Sequence, residues 1–369
     1  MKRLAQIAAL VVVTLFMACG NKEVTPDTEP IYTPRYAKGF TIECDKESGE
    51  KYLVVRNPWQ GAEDVVFHTK INTTTPPKRI IAMSSSHAAM LEAVGCSSRI
   101  VGLSGCDYIY SASISQDVAE GKIAEVGYDT NLDLEQIVML EPDVILLYGV
   151  AGKAEKITNK LDEIGIPYIY IGDYLESSPL GRAEWVVALA SICGVEEEGK
   201  AFFAEVEKRY NDICHQAQNK GYRPRVMLNT PYSDSWFMPS HNSYFVRLIE
   251  DAGGEYVLRR GSRDEGRENS SKPISLEEAL SYAMQSDFWL NLGQINSLEE
   301  LFITAPHFTN VDAIRNGRIY NNTKRTKGFG GSDFWESGAI RPDLILEDLV
   351  KILHNDAPTD SLYYYKKLE

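Results

Sequence analysis

The chain has 369 residues, of which 44% are hydrophobic and 24% charged, and its formal net charge is −14. This length accommodates two domains of ordinary size, and the composition is typical of a soluble globular protein. An acidic chain without a basic stripe disfavours nucleic-acid binding, so we expect no nucleic-acid partner.

The N-terminus has the pattern of an export signal. Lys2 and Arg3 precede an apolar run over residues 7–18, which is too short to remain as a membrane span. Cys19 ends this run, as in a bacterial lipobox, where the cysteine is lipidated and becomes the mature N-terminus; a plain secretory leader is the alternative. We assign residues 1–19 as a lipoprotein signal peptide. The expected location is outside the cytoplasm, lipid-anchored to a bacterial membrane and facing the periplasm or the cell exterior.

The other cysteines form no metal-binding pattern. They number five, so at least one thiol is unpaired within the chain, and no two have the spacing of a metal knuckle. Cys96 and Cys106 have two interpretations that the sequence leaves open, a disulfide or two buried free thiols. The remaining three are Cys44, Cys193 and Cys214.

Residues 20–75 predict a polar tether followed by a small β extension. Residues 21–36 are polar and contain prolines, as a tether does, and residues 40–43, 52–55 and 65–68 alternate as strands do. Turn signals separate the three strands.

Two α/β lobes follow, at residues 76–175 and 223–325. Each alternates short apolar strands with helical stretches, which predicts mainly parallel, Rossmann-like sheets. Residues 176–222 predict connecting helices, and the one at 196–219 would span roughly 36 Å at 1.5 Å per residue. Such a helix would hold the lobes at a nearly fixed separation. Residues 326–369 predict a glycine-rich cleft loop and a C-terminal helix.

The two lobes repeat one pattern. Residues 77–81 and 223–228 each open a strand that leads through a polar turn to a helix. Residues 134–146 and 276–290 each give a Leu-Glu helix followed by an Asp-led apolar strand. Two related lobes imply a cleft between them, where a small molecule would bind.

Leader, tether, paired lobes and connecting helix together resemble the substrate-binding proteins of ABC importers for iron complexes and cobalamin. The segments that carry the resemblance are residues 77–81, 131–145 and 311–320, and it covers roughly residues 76–354. It implies a binding protein and not an enzyme, with no catalytic residues and no resident cofactor. The ligand would be a chelated metal, and the partners would be the permease and ATPase subunits of an importer. We expect a monomer.

The resemblance and the strand ends together indicate ligand-binding residues. Aromatic faces suit a large planar or chelated ligand, and the ends of parallel strands are where open α/β sheets place ligand contacts. Ser85, Ser86 and His87 lie at a strand-to-helix turn, and His87 and His241 are candidate haem ligands. Arg325 belongs to a basic cluster that would meet anionic oxygens. The other predicted ligand-binding residues are Tyr128, Tyr148, Tyr170, Trp236, Phe237, Asp333 and Trp335.

Two glutamates, Glu155 and Glu250, match the one exposed glutamate per lobe with which similar proteins dock on permease arginines. Paired charges at two separated points would fix the orientation of the protein on the transporter.

Other functions have less support in the sequence. A serine hydrolase requires a Gly-x-Ser-x-Gly elbow, which Gly102-Leu103-Ser104-Gly105 does not provide, and neither His-Glu-x-x-His nor Cys-x-x-Cys is present. Paired acids for glycoside chemistry stay open, although the lobes give them no favoured place. The six histidines are scattered, which disfavours a bare metal ion. Among chelates we favour a ferric siderophore or related iron complex, with cobalamin next and haem, through Tyr148 or His87, third.

Overall fold

The structure is a computed structural model that describes residues 26–128, 131–149, 155–258, 270–328, 330–355 and 358–369. Cys19, the predicted lipidation site, therefore lies outside the described residues. The same is true of Gly152, which precedes Glu155, and of Phe329 in the glycine-rich loop. No helix in the described part of the chain is long and apolar enough to cross a membrane.

The first folded unit is a four-stranded antiparallel sheet, the β extension. Phe40 and Ile42 are buried on one face of it, as alternation along a strand predicts. Its strands lie in chain order and are β1 (Thr28–Tyr32), β2 (Phe40–Asp45), β3 (Lys51–Arg56) and β4 (Val66–Lys70).

The N-terminal lobe contains a five-stranded parallel sheet in the order β11-β10-β5-β6-β7. Its elements are β5 (Ile80–Ala82), α1 (Ser85–Ala93), β6 (Ile100–Leu103), α2 (Ala112–Ala119), β7 (Ala124–Glu125), β8 (Gly127–Tyr128), β9 (Asn131–Leu132), α3 (Leu134–Met139), β10 (Val144–Leu147), α4 (Glu155–Ile164) and β11 (Tyr168–Tyr170).

Two consecutive helices connect the lobes. Helix α5 (Pro179–Ile192) is buried along its whole length, and α6 (Glu196–Gln218) has 23 residues. Ser178 caps α5 by accepting a hydrogen bond from the Gly181 amide, and Pro179 occupies a first-turn position that needs no N–H donor. The long helix predicted over residues 196–219 is therefore present.

The C-terminal lobe contains a second five-stranded sheet, in the order β15-β12-β17-β18-β19, in which only β19 is antiparallel. A three-stranded antiparallel sheet of β13, β14 and β16 adjoins it. The elements are β12 (Arg225–Leu228), β13 (Pro231–Tyr232), β14 (Ser235–Pro239), α7 (Tyr244–Asp251), β15 (Glu255–Tyr256), β16 (Ser271–Ser275), α8 (Leu276–Ala283), β17 (Phe288–Leu290), α9 (Leu298–Thr304), α10 (Asp312–Arg315), β18 (Ile319–Asn321), α11 (Pro342–His354) and β19 (Lys366–Lys367).

The sequence repeat has a structural counterpart. Strands β6-β5-β10-β11 and β15-β12-β17-β18 lie in the same spatial and chain order. Asp143 Oδ2 accepts from the Arg79 amide at 2.9 Å, and Asp287 Oδ2 accepts from the Arg225 amide at 2.8 Å. Each aspartate thus ties the start of the lobe's first strand to the start of its neighbour. The predicted α/β fold of two lobes is confirmed.

Five cysteines are free thiols: Cys44, Cys96, Cys106, Cys193 and Cys214. The disulfide alternative for Cys96 and Cys106 is therefore not formed. Cys96 contacts the Cys193 thiol instead, at the buried junction between α1 and the end of α5.

Candidate functional site

The loops that follow the strands of the two sheets meet at the junction between the lobes. On the N-terminal side, Tyr148 follows β10 and Asp173 follows β11. On the C-terminal side, Tyr244 begins α7, and Trp335 lies in the long loop between β18 and α11. This is the edge of the sheets at which α/β folds bind ligands.

A buried ion pair lies at the base of this junction. Arg182 Nε donates to Asp173 Oδ2 at 3.2 Å, and His87 Nε2 lies 3.5 Å from Asp173 Oδ1. Burial alone would raise the pKa of Asp173, but the neighbouring His87, the Arg182 charge and Ser86 outweigh it and lower the pKa. Asp173 is therefore held ionised, which keeps a paired cation at the base of the site.

Arg182 also links the two lobes. Its guanidinium carbon lies 5.7 Å from the centroid of the Tyr244 ring and 5.9 Å from that of Trp335, within cation–π range. Tyr148 contributes from the other lobe: burial and the Asp173 charge raise its pKa to about 12, although Arg182 lowers it in part. The Tyr148 hydroxyl therefore stays protonated at neutral pH.

Exposed aromatic side chains occur in both lobes, and one of them, Trp335, lies against Arg182. The Trp335 side chain is 43% exposed, with its ring centroid 5.6 Å from that of Phe245. Tyr108 and Tyr128 contact each other and are 45% and 51% exposed. Phe237 is 39% exposed. A contiguous patch of exposed apolar side chains marks a candidate binding surface, whereas scattered ones are common.

Glycines allow the loop containing Tyr108 to approach the opposite lobe. Gly105 has a left-handed φ of 75°, and a Cβ atom there would lie 2.9 Å from the Tyr108 ring. A Cβ atom on Gly331 would lie 2.5 Å from the Tyr108 carbonyl oxygen. Only glycine fits such a contact, so Gly331 sets how closely the C-terminal loop approaches Tyr108.

A set of polar contacts joins the same loops. The buried Glu336 accepts from the amides of Tyr110 and Ser111, both at 2.7 Å. Burial raises the pKa of Glu336 to about 7, against the opposing effect of these two amides. Lys327 Nζ donates to the Ile109 carbonyl at 3.1 Å. We refer to these Glu336 and Lys327 contacts as the interlobe latch.

Arg325 and Asp333 are joined within this loop region. Arg325 Nε donates to Asp333 Oδ2 at 2.5 Å, and its guanidinium carbon lies 4.9 Å from the Tyr110 ring centroid and 4.3 Å from that of Tyr363. Asp333 is almost fully buried, so it can orient Arg325 but does not face a ligand. Arg325 remains partly exposed between the two rings.

Several predicted ligand-binding side chains lie in the core, which corrects their assignment. Trp236 is fully buried, and its ring centroid lies 4.9 Å from that of Phe308. It and the exposed Phe237 are adjacent on β14, where successive side chains point to opposite faces. Tyr170 is also buried, with its ring centroid 5.3 Å from that of Trp59 under the β extension.

The predicted Ser-Ser-His turn lies just beneath the junction. Ser84 caps α1, Ser85 is partly exposed, and Ser86 and His87 are buried. Because His87 is 0% exposed and lies against Asp173, its role as a direct haem ligand is also corrected. The His241 ring centroid lies 5.5 Å from that of Tyr256.

The two predicted docking glutamates lie on different lobes. Glu250 lies near the end of α7 and is partly exposed. Glu155 begins α4, and its side chain is outside the described residues.

Sequence reasoning missed three residues at this junction. Tyr108 lies in the loop after β6 but not at the strand end, whereas Tyr148 directly follows β10, so the strand-end rule that selected Tyr148 indicates only the loop that contains Tyr108. Arg182 and Tyr244 lie inside or at the start of helices, and their sequence positions give no comparable signal. In the described residues, no three His, Cys, Asp or Glu side chains converge as a metal site requires.

Known proteins resemble the chain over most of its length. The uncharacterized lipoprotein MJ0878 of Methanocaldococcus jannaschii is 30% identical over 324 residues, which cover 84% of this chain and 74% of the relative. A possible iron-binding periplasmic solute-binding protein of Staphylococcus epidermidis has a similar structure, with a TM-score of 0.60 at 19% identity, covering 76% of this chain and 100% of that one.

A periplasmic heme-binding protein of Pseudomonas aeruginosa has a TM-score of 0.58 at 18% identity, covering 79% of this chain and 98% of that one. The family model described as "periplasmic binding protein" matches residues 80–326, which include most of both lobes. These comparisons agree with the fold and confirm the predicted resemblance. The chain belongs to the periplasmic binding protein family.

Proposed function

We propose that this protein is the solute-binding component of an ABC importer and carries an iron complex, a ferric siderophore or related chelate, between its lobes. The observation that carries the proposal is the exposed Trp335 ring against the buried Arg182–Asp173 pair, with further exposed aromatic rings on both lobes. Aromatic faces bury large areas of a rigid ligand at little entropic cost. Iron-chelating groups are commonly oxyanions, which suit the partly exposed Arg325 nearby.

The similar structures support the same ligand class. One of them is described as possibly iron-binding and another as heme-binding. For this chain, haem would use Tyr148 as its candidate axial ligand, since His87 is buried.

Cobalamin is the second candidate. The exposed pair of Tyr108 and Tyr128, with Phe237 from the other lobe, favours a large ring system over a small chelate. Separate fluorescence titrations with cobalamin and with a ferric siderophore distinguish the two candidates.

Tryptophan fluorescence tests the proposed site. A chelate that binds between the lobes should quench Trp335, so the Trp335→Phe variant should lose most of the quenching and bind about fivefold to tenfold more weakly, since it loses part of one exposed aromatic contact. The Trp59→Phe variant is the control, because Trp59 packs on Tyr170 beneath the extension. Equal quenching in both variants would refute the placement.

We further propose that the protein is anchored through a lipid on Cys19 and docks through Glu155 and Glu250. The lipoprotein description of the relative from M. jannaschii supports the anchor. Reversing both glutamates to arginine should abolish ligand-dependent stimulation of the transporter ATPase, because they would repel permease arginines. Chelate binding by that variant should be unchanged. Full stimulation by the doubly reversed protein would contradict this docking mode.

A further inference from the structure

A cavity of about 380 Å³ lies where the β extension meets the start of the connecting helix α5 and the C-terminal lobe. The extension contributes Arg35 and Lys38, the start of α5 contributes Ser178, and the segment leading into α7 contributes His241 and Ser243. Arg247, one turn into α7, completes it. We refer to this cavity as the Arg35 pocket. Its lining includes none of the residues placed above around Arg182 and Trp335, which we refer to as the aromatic site.

The charge of the Arg35 pocket is opposite to that of the whole protein. The chain has a formal net charge of −14, yet three lining residues are cations and none is an acid. Arg35 pairs with Glu207, and Arg247 Nε lies 3.8 Å from Asp251. Glu207 and Asp251 each also accept a hydrogen bond from a tyrosine hydroxyl, so part of their negative charge is already engaged elsewhere. The Arg35 and Arg247 side chains are still 64% and 58% exposed, which leaves donors for a bound anion.

Two helices begin at this cavity. Ser178 caps α5, of 14 residues, and Ser243 caps α7, of 8 residues, so both positive helix ends face the same space. The two ring nitrogens of His241 are shielded from water and have no hydrogen-bond partner among the described residues. An imidazole always has at least one N–H donor, and a buried donor without a partner costs free energy, which an anion that reached it would offset.

We propose that the Arg35 pocket binds a small oxyanion, with phosphate or carboxylate groups. Guanidinium groups, an ammonium group and helix N-termini are the usual partners of such oxygens. Because Arg35 and Lys38 come from the extension, this site would give that segment a binding role. A bound anion would contact the extension, the connecting helix α5 and the C-terminal lobe at once and so stabilise their arrangement. The proposal does not depend on which chelate the aromatic site carries.

Isothermal titration with inorganic phosphate, sulfate and citrate in separate experiments at low salt tests the proposal. At least one probe should bind the wild-type protein, and Lys38→Gln or Arg247→Gln should weaken it about fivefold, the loss that corresponds to about 1 kcal/mol for one exposed charge contact. Tighter binding of phosphate than of citrate would identify a phosphate site, and the reverse order a carboxylate site.

The matched control is Lys46→Gln, since Lys46 is also in the extension but pairs with Asp27 at 2.6 Å. It should bind the anion as the wild type does. Melting temperatures without anion should be close among all four proteins, which separates loss of the site from misfolding. Absence of binding by the wild type, or equal affinities in all variants, would overturn the proposal. The chelate titration of the aromatic site should not change in either case.

Discussion

At the scale of single residues, the base of the aromatic site depends on one buried ion pair. Asp173 is 0% exposed, and its carboxylate neutralises the charge of Arg182 at a position that water does not reach. Removal of one partner from such a pair leaves an uncompensated charge in the interior. The pair also places Arg182 against Tyr244 and Trp335, so we expect it to support both folding and binding.

The Asp173→Asn variant should lose about 3–5 kcal/mol of unfolding free energy, because Arg182 would keep its charge without a counterion. Urea unfolding at pH 7 measures this loss. Replacing both residues, as Asp173→Leu with Arg182→Met, should restore part of it, since no buried charge remains. A single variant as stable as the wild type would show that the pair is not needed.

Glu336 gives the interlobe latch a pH dependence. Its pKa is about 7 in the folded protein, against 4.5 ordinarily, so the folded state binds a proton more tightly than the unfolded state does. Stability contributed by this group therefore falls as the pH rises from about 4.5 to about 7. Urea unfolding across that range should show a shallower decline in Glu336→Gln than in the wild type. Identical slopes would mean that Glu336 does not titrate there.

The sequence predicts which strand ends form the site, but not which side chains there are exposed. Four of the predicted ligand-binding residues illustrate this. Tyr148 and Trp335 lie at the junction between the lobes, whereas Trp236 and Tyr170 are buried. A strand-end rule locates the right region but not the face of the strand. For Trp236 and Phe237, adjacent on β14, register decides which side chain is exposed.

At the scale of elements, the sequence repeat specifies the two sheets. Asp143 and Asp287 occupy equivalent positions and accept from equivalent strand amides. The lobes could be predicted because strands, turns and helices recur in the same order. The burial of α5 along its whole length could not be predicted from the sequence. This burial depends on the packing of α6, the extension and both lobes around the helix.

Asp143→Ala and Asp287→Ala should have similar effects. Asp143 accepts from the amides of Lys78 and Arg79, and Asp287 accepts from that of Arg225, so each loss should cost about 0.5–1.5 kcal/mol of unfolding free energy, with the larger value for Asp143. The two aspartates belong to different lobes, so the losses should add within about 0.5 kcal/mol in a two-state analysis. Denaturant unfolding of both single variants and the double variant checks this. A large effect of only one would contradict their equivalence.

At the scale of the whole molecule, the β extension is attached through buried glutamates of the connecting region. Glu184 is 0% exposed and accepts from the amides of Arg35, Tyr36 and Ala37 at 2.8–2.9 Å. Glu176 accepts from the amides of Lys38 and Gly39 in the same way. The segment that forms part of the Arg35 pocket is therefore fixed by acids on the chain between β11 and α6.

Glu184→Ala should leave three amides without an acceptor and loosen the extension, at a cost of about 3 kcal/mol or more. Limited proteolysis should then cut first within residues 26–71, and anion binding should weaken. Glu197→Ala is the control, since Glu197 is exposed on the first turn of α6. An extension equally resistant in both variants would contradict the role of Glu184.

Native mass spectrometry would show directly whether the lobes hold a chelated metal. Residues 20–369 would be incubated with cobalamin, haem and a panel of ferric siderophores together, and the retained mass would identify the ligand. We predict one adduct, with the mass of an iron complex, that is much reduced in the Trp335→Phe variant. A cobalamin adduct would select the second candidate, and no adduct with any chelate would contradict the proposed function.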